Sequence, residues 1–194
     1  MTMKIYLALI GLLVVGGATG VWLTQSENVA NNSQGSHSSP RAVVDDFRGQ
    51  TEAPSNIEIP DIQLQDFEGN VVELAQLTGK PLVLNTWATW CPFCVDELPD
   101  LATVQEEFGD EVTIVAINRS ETLRTAQEYT SDLGLDGSLV FLLDGSDRFY
   151  REIGGFSMPE TLFINSDGSI HFHKRGVMTI DEIRQRVKAL IAAQ

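Results

Sequence analysis

Trp90-Cys91-Pro92-Phe93-Cys94 holds both cysteines of a 194-residue chain, and the fold builds outward from that pentapeptide. Before it, Pro81-Leu82-Val83-Leu84-Asn85-Thr86-Trp87 reads as a buried strand, and after it Val95 to Phe108 reads as a helix. Thiols at i and i+3 share one helix face, within reach of a single unstrained disulfide. Cys91 falls at the helix start, where unpaired backbone N–H groups and the helix dipole favour an anion. A lowered thiol pKa follows, and the thiolate is the species that attacks.

The chain begins with an uncharged run, Ile5 to Leu23, preceded by Lys4 and followed by Thr24-Gln25-Ser26-Glu27. At about 1.5 Å per residue this run approaches the hydrocarbon thickness of a bilayer. It reads as an uncleaved membrane anchor with Trp22 at the interface; the alternative is a signal peptide cleaved near Ala18-Thr19-Gly20. Either reading exports the remainder to the periplasm or the exterior of the cell envelope. Residues 24–56, rich in Ser, Asn, Gln and Gly, read as a flexible linker, and residues 57–194 as one folded domain. The formal net charge of −14 argues against nucleic acid or anionic lipid surfaces as partners. An exported domain whose two cysteines form one C-x-x-C has no structural disulfide framework, so the pair is read as the chemistry. Such a pair carries its own two electrons and needs no cofactor.

The domain predicts an α/β fold. Ile62 to Leu74 makes a hairpin turning at Glu68-Gly69-Asn70. Val112 to Ile117 and Leu139 to Leu143 are continuous apolar strands, separated by a helix over 121–133. A short helix spans Asp147 to Ile153. Asp167-Gly168 joins two strands, Thr161 to Ile164 and Ser169 to His173. Thr179, with Glu182 three residues on, opens the last helix as a capping box. Together these imply a mixed central sheet with helices on both faces.

These residues resemble the thioredoxin fold, in its exported, membrane-tethered TlpA/ResA/CcmG (DsbE) form. Trp87-Ala88-Thr89-Trp90-Cys91 is similar to that family's W-x-x-W-C, Pro99 matches its helix-kinking proline, and Met158-Pro159 falls where it keeps a cis-proline facing the disulfide. Asn118 to Phe156 corresponds to the family's inserted strand and helix. Pro92, Pro159-Glu160-Thr161 and the basic, His-bearing strand that follows resemble the cytochrome c maturation branch. Gly154-Gly155-Phe156-Ser157-Met158 departs from that branch's G-V-x-G-x, and Phe93 from its small or polar residue.

The resemblance implies roles. Cys91 is the nucleophile and Cys94 the resolving thiol. Thioredoxins proper place a buried acid where this chain has Asn85, so Glu97, one turn beyond Cys94, is read as the proton-transfer acid, with Glu160 as a second carboxylate near the thiolate. Trp90, Pro92, Phe93, Met158, Pro159 and Glu160 are expected to meet substrate, the Met158 backbone pairing with an extended strand. Trp87 reads as core. His171 and His173 alternate on one strand face and admit a metal-site reading, although no metal is expected.

The expected function is extracytoplasmic thiol–disulfide exchange with protein thiols, reducing client disulfides such as those of apocytochrome c and drawing on a thiol-reducing membrane electron donor. A disulfide-forming oxidase or isomerase is the alternative enzyme, and a copper-binding assembly factor the alternative of another class.

Overall fold

The structure, a computed structural model, describes residues 58–194; the expected anchor and the whole of the expected linker lie outside the described residues. Seven strands form one mixed sheet: β1 (Gln63–Asp66), β2 (Val71–Glu73), β3 (Leu82–Trp87), β4 (Thr113–Arg119), β5 (Val140–Asp144), β6 (Glu160–Ile164) and β7 (Ile170–Arg175). Their order is β2-β1-β5-β4-β3-β6-β7, with β3, β4 and β5 parallel and the outer pairs antiparallel. The helices are α1 (Pro92–Phe108), α2 (Leu123–Asp132), α3 (Arg148–Glu152) and α4 (Ile180–Ala192). The expected insertion supplies α2 and β5, placing β5 between β4 and the N-terminal hairpin. Among the described residues no helix is long and apolar enough to cross a membrane.

Both faces of the sheet are covered, unequally. Val83, Ile114, Ala116 and Phe163 face a core completed by Leu98, Leu101 and Val104 of α1, Ala126 of α2, and Ile183, Val187 and Leu190 of α4. On the other face Leu82, Leu84, Val115, Ile117, Leu142 and Leu162 pack against Phe149 of α3 and Leu74 of a 3-10 turn, Leu74–Leu77. Burial on both faces explains why β3 shows no polar alternation: Leu82, Val83, Leu84 and Trp87 are apolar, and its polar residues Asn85 and Thr86 are buried with hydrogen-bond partners. Each fully buried leucine here contributes about 1.5–3 kcal/mol.

Local chemistry sets the ends of the elements. The β1–β2 turn closes with the Asp66 carboxylate accepting from Glu68 N and Asn70 N, and Gly69 takes φ +90°, which a side chain rarely adopts. Thr179 Oγ1 accepts from Glu182 N, as expected of the cap. The reciprocal half of the capping box is absent: the Glu182 carboxylate takes Lys174 Nζ at 2.8 Å instead, because β7 brings a cation within its reach.

Candidate active site

The pentapeptide spans the loop after β3 and the first turn of α1, at the C-terminal edge of the parallel strands, where α/β folds place their sites. Cys91 and Cys94 are joined, their Cα atoms 5.3 Å apart. Cys91 caps the helix with its sulfur, which accepts from Cys94 N at 3.2 Å. Pro92 sits at the first helical position, where its missing N–H is not needed. Cys91 is itself buried, at 3% exposure, and Cys94 is fully buried, so only Cys91 offers any surface to an incoming sulfur.

Glu97 is not the solvated helix residue that its charge would suggest. It is 1% exposed and continues the buried stripe Cys94, Leu98, Leu101, Val104 along α1. Its Oε2 accepts from Asn85 Nδ2 at 2.9 Å and its Oε1 from Met178 N at 2.7 Å. Burial outweighs both hydrogen bonds and pushes its carboxyl up to about 7. Asn85 Nδ2 also reaches Thr161 Oγ1 at 2.9 Å, while Asn85 Oδ1 has no partner among the described residues.

Glu160 lies elsewhere than the sequence suggests. Alternation along β6 puts Thr161 and Phe163 on the Asn85 face and Glu160, Leu162 and Ile164 on the opposite one. Glu160 is therefore not a second carboxylate beside the thiolate. Its Oε2 lies 2.8 Å from His173 Nε2, and its Oε1 accepts from Phe156 N and Ser157 N, both at 2.8 Å. Burial opposes ionisation of Glu160, but these hydrogen bonds prevail and hold its carboxyl below the usual range. It clamps the turn leading into Met158-Pro159, whose peptide bond is cis. His173 pairs in register with Leu162, on the face away from the cysteines, whereas His171 falls at a register shift between β6 and β7. The cysteines and His173 thus lie on opposite faces of the sheet.

Met158 packs against the core cluster containing both cysteines. Ser157 and Pro159 are held by their neighbours: Ser157 O accepts from Tyr150 Oη, and Pro159 O accepts from Gly176 N. Among the described residues the amide and carbonyl of Met158 have no hydrogen-bond partner. Trp90, Phe93 and Phe156 are large apolar side chains left 59–77% exposed, and Trp87 is fully buried core.

Two features escaped sequence reasoning. Glu121 accepts from Thr89 N at 2.9 Å, from Thr89 Oγ1 at 2.5 Å and from Asn118 Nδ2 at 2.7 Å, tying the loop before Cys91 to the end of β4. Arg119 stacks over Tyr150 and stands beside Trp90. The available signal was position: Asn118, Arg119 and Glu121 cluster at the C-terminal end of a parallel strand.

Known proteins agree with this arrangement. A family model described as Redoxin matches residues 54–190. The thiol-disulfide oxidoreductase ResA of Halalkalibacterium halodurans is 33% identical over 129 residues, 64% of this chain and 72% of that protein. The thiol:disulfide interchange protein DsbE of Vibrio cholerae is 31% identical over 120 residues, 61% of this chain and 63% of that protein. A solved structure of a secreted Mycobacterium tuberculosis disulfide oxidoreductase, described as homologous to DsbE of E. coli, superposes with TM-score 0.60 at 28% identity, over 67% of this chain and 96% of that one. With a joined C-x-x-C at the start of α1 and a family match spanning most of its length, the chain belongs to the Redoxin family and is a thiol–disulfide oxidoreductase.

Proposed function

We propose that this protein reduces disulfides in extended polypeptides outside the cytoplasm, with Cys91 as nucleophile, Cys94 as resolving thiol and Glu97 as the proton acceptor for Cys94. In the dithiol form the Cys91 thiolate attacks one client sulfur, forming a mixed disulfide and releasing the other client sulfur as a thiolate. Glu97 takes the Cys94 proton, the Cys94 thiolate attacks Cys91 Sγ, and the client leaves reduced while Cys91 and Cys94 are oxidised. A thiol-reducing partner in the membrane then returns two electrons. Ile5 to Leu23 would keep the domain beside that partner, and apocytochrome c is the client class suggested by the Pro159-Glu160-Thr161 resemblance.

The observation that carries this reading is the buried Glu97 one helical turn from Cys94, hydrogen-bonded and titrating near neutrality. An acid with such a pKa can both accept and return a proton at ambient pH. Its ionised form also disfavours a second negative charge on Cys94, and the first turn of α1 holds no cation to offset that. Strong oxidants owe their potential to a stabilised reduced form, so this environment favours the reductant. Phe93 and Trp90 supply apolar contact for a client, and the unpaired Met158 backbone can add a short extended strand.

Equilibration of the protein against glutathione tests the direction. A potential near thioredoxin's, about −270 mV, is expected, and one near DsbA's, about −120 mV, would replace the reductant with a disulfide-forming oxidase.

A further inference from the structure

The Met158 backbone and the Trp90 loop belong to separate segments of the chain, and one short helix joins them. The first turn of α3 is fixed by Asp144, whose carboxylate accepts from Arg148 N at 2.9 Å and Tyr150 N at 3.3 Å. Asp147, just before the helix, accepts from Arg119 Nε at 2.8 Å and Nη2 at 2.7 Å, so the guanidinium plane is held at two points. That plane lies with its central carbon 3.5 Å from the centre of the Tyr150 ring and 5.9 Å from the centre of the Trp90 ring. Tyr150 Oη in turn donates to Ser157 O at 2.6 Å, immediately before Met158.

Gly155 fits the same device. A Cβ at this position would stand 2.5 Å from the Tyr150 ring, a contact no side chain could keep without moving the ring. The ring cannot move freely, being stacked on Arg119 at one face and hydrogen-bonded through its hydroxyl. Glycine fits here because the aromatic ring occupies the space a side chain would need.

We propose that Arg119 and Tyr150 are positioning residues for polypeptide substrate, holding the Ser157–Met158 backbone at a fixed distance from the Trp90–Cys91 loop. The inference rests on the reading that an extended client pairs with Met158 while its sulfur meets Cys91. Clients that use the backbone gain from this brace; a small disulfide, which makes no backbone pair, does not. Discrimination between the two is therefore set by a brace outside the Cys91–Cys94 pair.

The test uses the full chain in its dithiol form with two probes, an extended synthetic peptide bearing a mixed disulfide and bis(2-hydroxyethyl) disulfide. Tyr150→Phe removes only the hydroxyl donor, and Gly155→Val drives the ring off Arg119. Both variants should lower the ratio of peptide to hydroxyethyl disulfide single-turnover efficiency by about fivefold, the size of one lost hydrogen bond, through a raised half-saturating peptide concentration with the maximal rate retained. An unchanged ratio in Tyr150→Phe, or an equal loss with both probes, would overturn the positioning role. A wild-type protein that shows no preference for the peptide would instead overturn the underlying reading of Met158 as a polypeptide-pairing site. Should Gly155→Val fail to fold, Tyr150→Phe carries the test alone.

Discussion

Asn85 Nδ2 donates to Glu97 Oε2 at 2.9 Å, joining β3 to the helix that begins at the disulfide. An aspartate at position 85 would set a second acid against Glu97; the amide instead gives a neutral partner with both donor and acceptor ends. Its Oδ1 is unpaired among the described residues. A turn of the amide plane would present that oxygen to a protonated Glu97, so one side chain can serve both protonation states.

Glu97 makes the stability of the fold depend on pH. Its folded pKa of about 7 lies above the ordinary 4.5, so the folded state holds the extra proton between those values. The stabilisation is full below the unfolded pKa and is lost as pH rises through the folded one, on the order of 3 kcal/mol in all. Glu97→Gln removes that slope. Urea unfolding at about pH 5 and about pH 8 should show the variant gaining on the wild type at the higher pH. A pH-independent difference between the two proteins would count against the buried proton.

The same substitution separates proton transfer from packing. Alkylation of the reduced protein should follow a different pH profile in Glu97→Gln, because the carboxylate no longer opposes thiolate formation above neutrality. Coincident profiles would remove Glu97 from the thiol chemistry and leave it a structural acid.

His173→Ala tests the clamp on the Met158 loop. Glu160 would keep its two backbone amides but lose its closest side-chain partner, with Arg175 Nε at 4.0 Å the remaining cation. Because the Glu160 carboxyl is held below its usual value, the pair stabilises above the unfolded pKa and is lost as pH falls through the folded one. The variant should be about 1–3 kcal/mol less stable at neutral pH, with the deficit shrinking in acid. Thermal unfolding at two pH values reads this directly.

Glu121→Ala should loosen the loop before Cys91. Three hydrogen bonds disappear, and Thr89 N–H loses its partner. A loss of about 1–2 kcal/mol is expected, with faster hydrogen exchange at the Thr89 amide. Unaltered exchange at Thr89 would show that the loop is held by its apolar contacts alone.

Much of the fold was legible without coordinates because its signals are local. The apolar run of β3, the Asp167-Gly168 turn between β6 and β7, and the Thr179 cap depend on a few neighbouring residues each, and the elements formed where those residues stood. The Cys91–Cys94 pairing was legible for the same reason, since helical spacing alone brings the sulfurs together. Glu97 was half legible: it falls in the stripe of Cys94, Leu98 and Leu101, and the helical period alone points it inward.

The sequence by itself determined the redox pair, its place at a helix start and the α/β order of elements, because short-range sterics and periodicity act within a few residues. Only the tertiary structure decided which carboxylate is buried on the cysteine side of the sheet. Glu97 and Glu160 are the same residue type, yet strand alternation turned Glu160 to the opposite face, where His173 and two backbone amides receive it. Helix α1 pressed Glu97 against Asn85 on the cysteine side, and the burial that raises its pKa comes from residues distant in the chain. Charge is written in the sequence, but desolvation is a property of the packed fold.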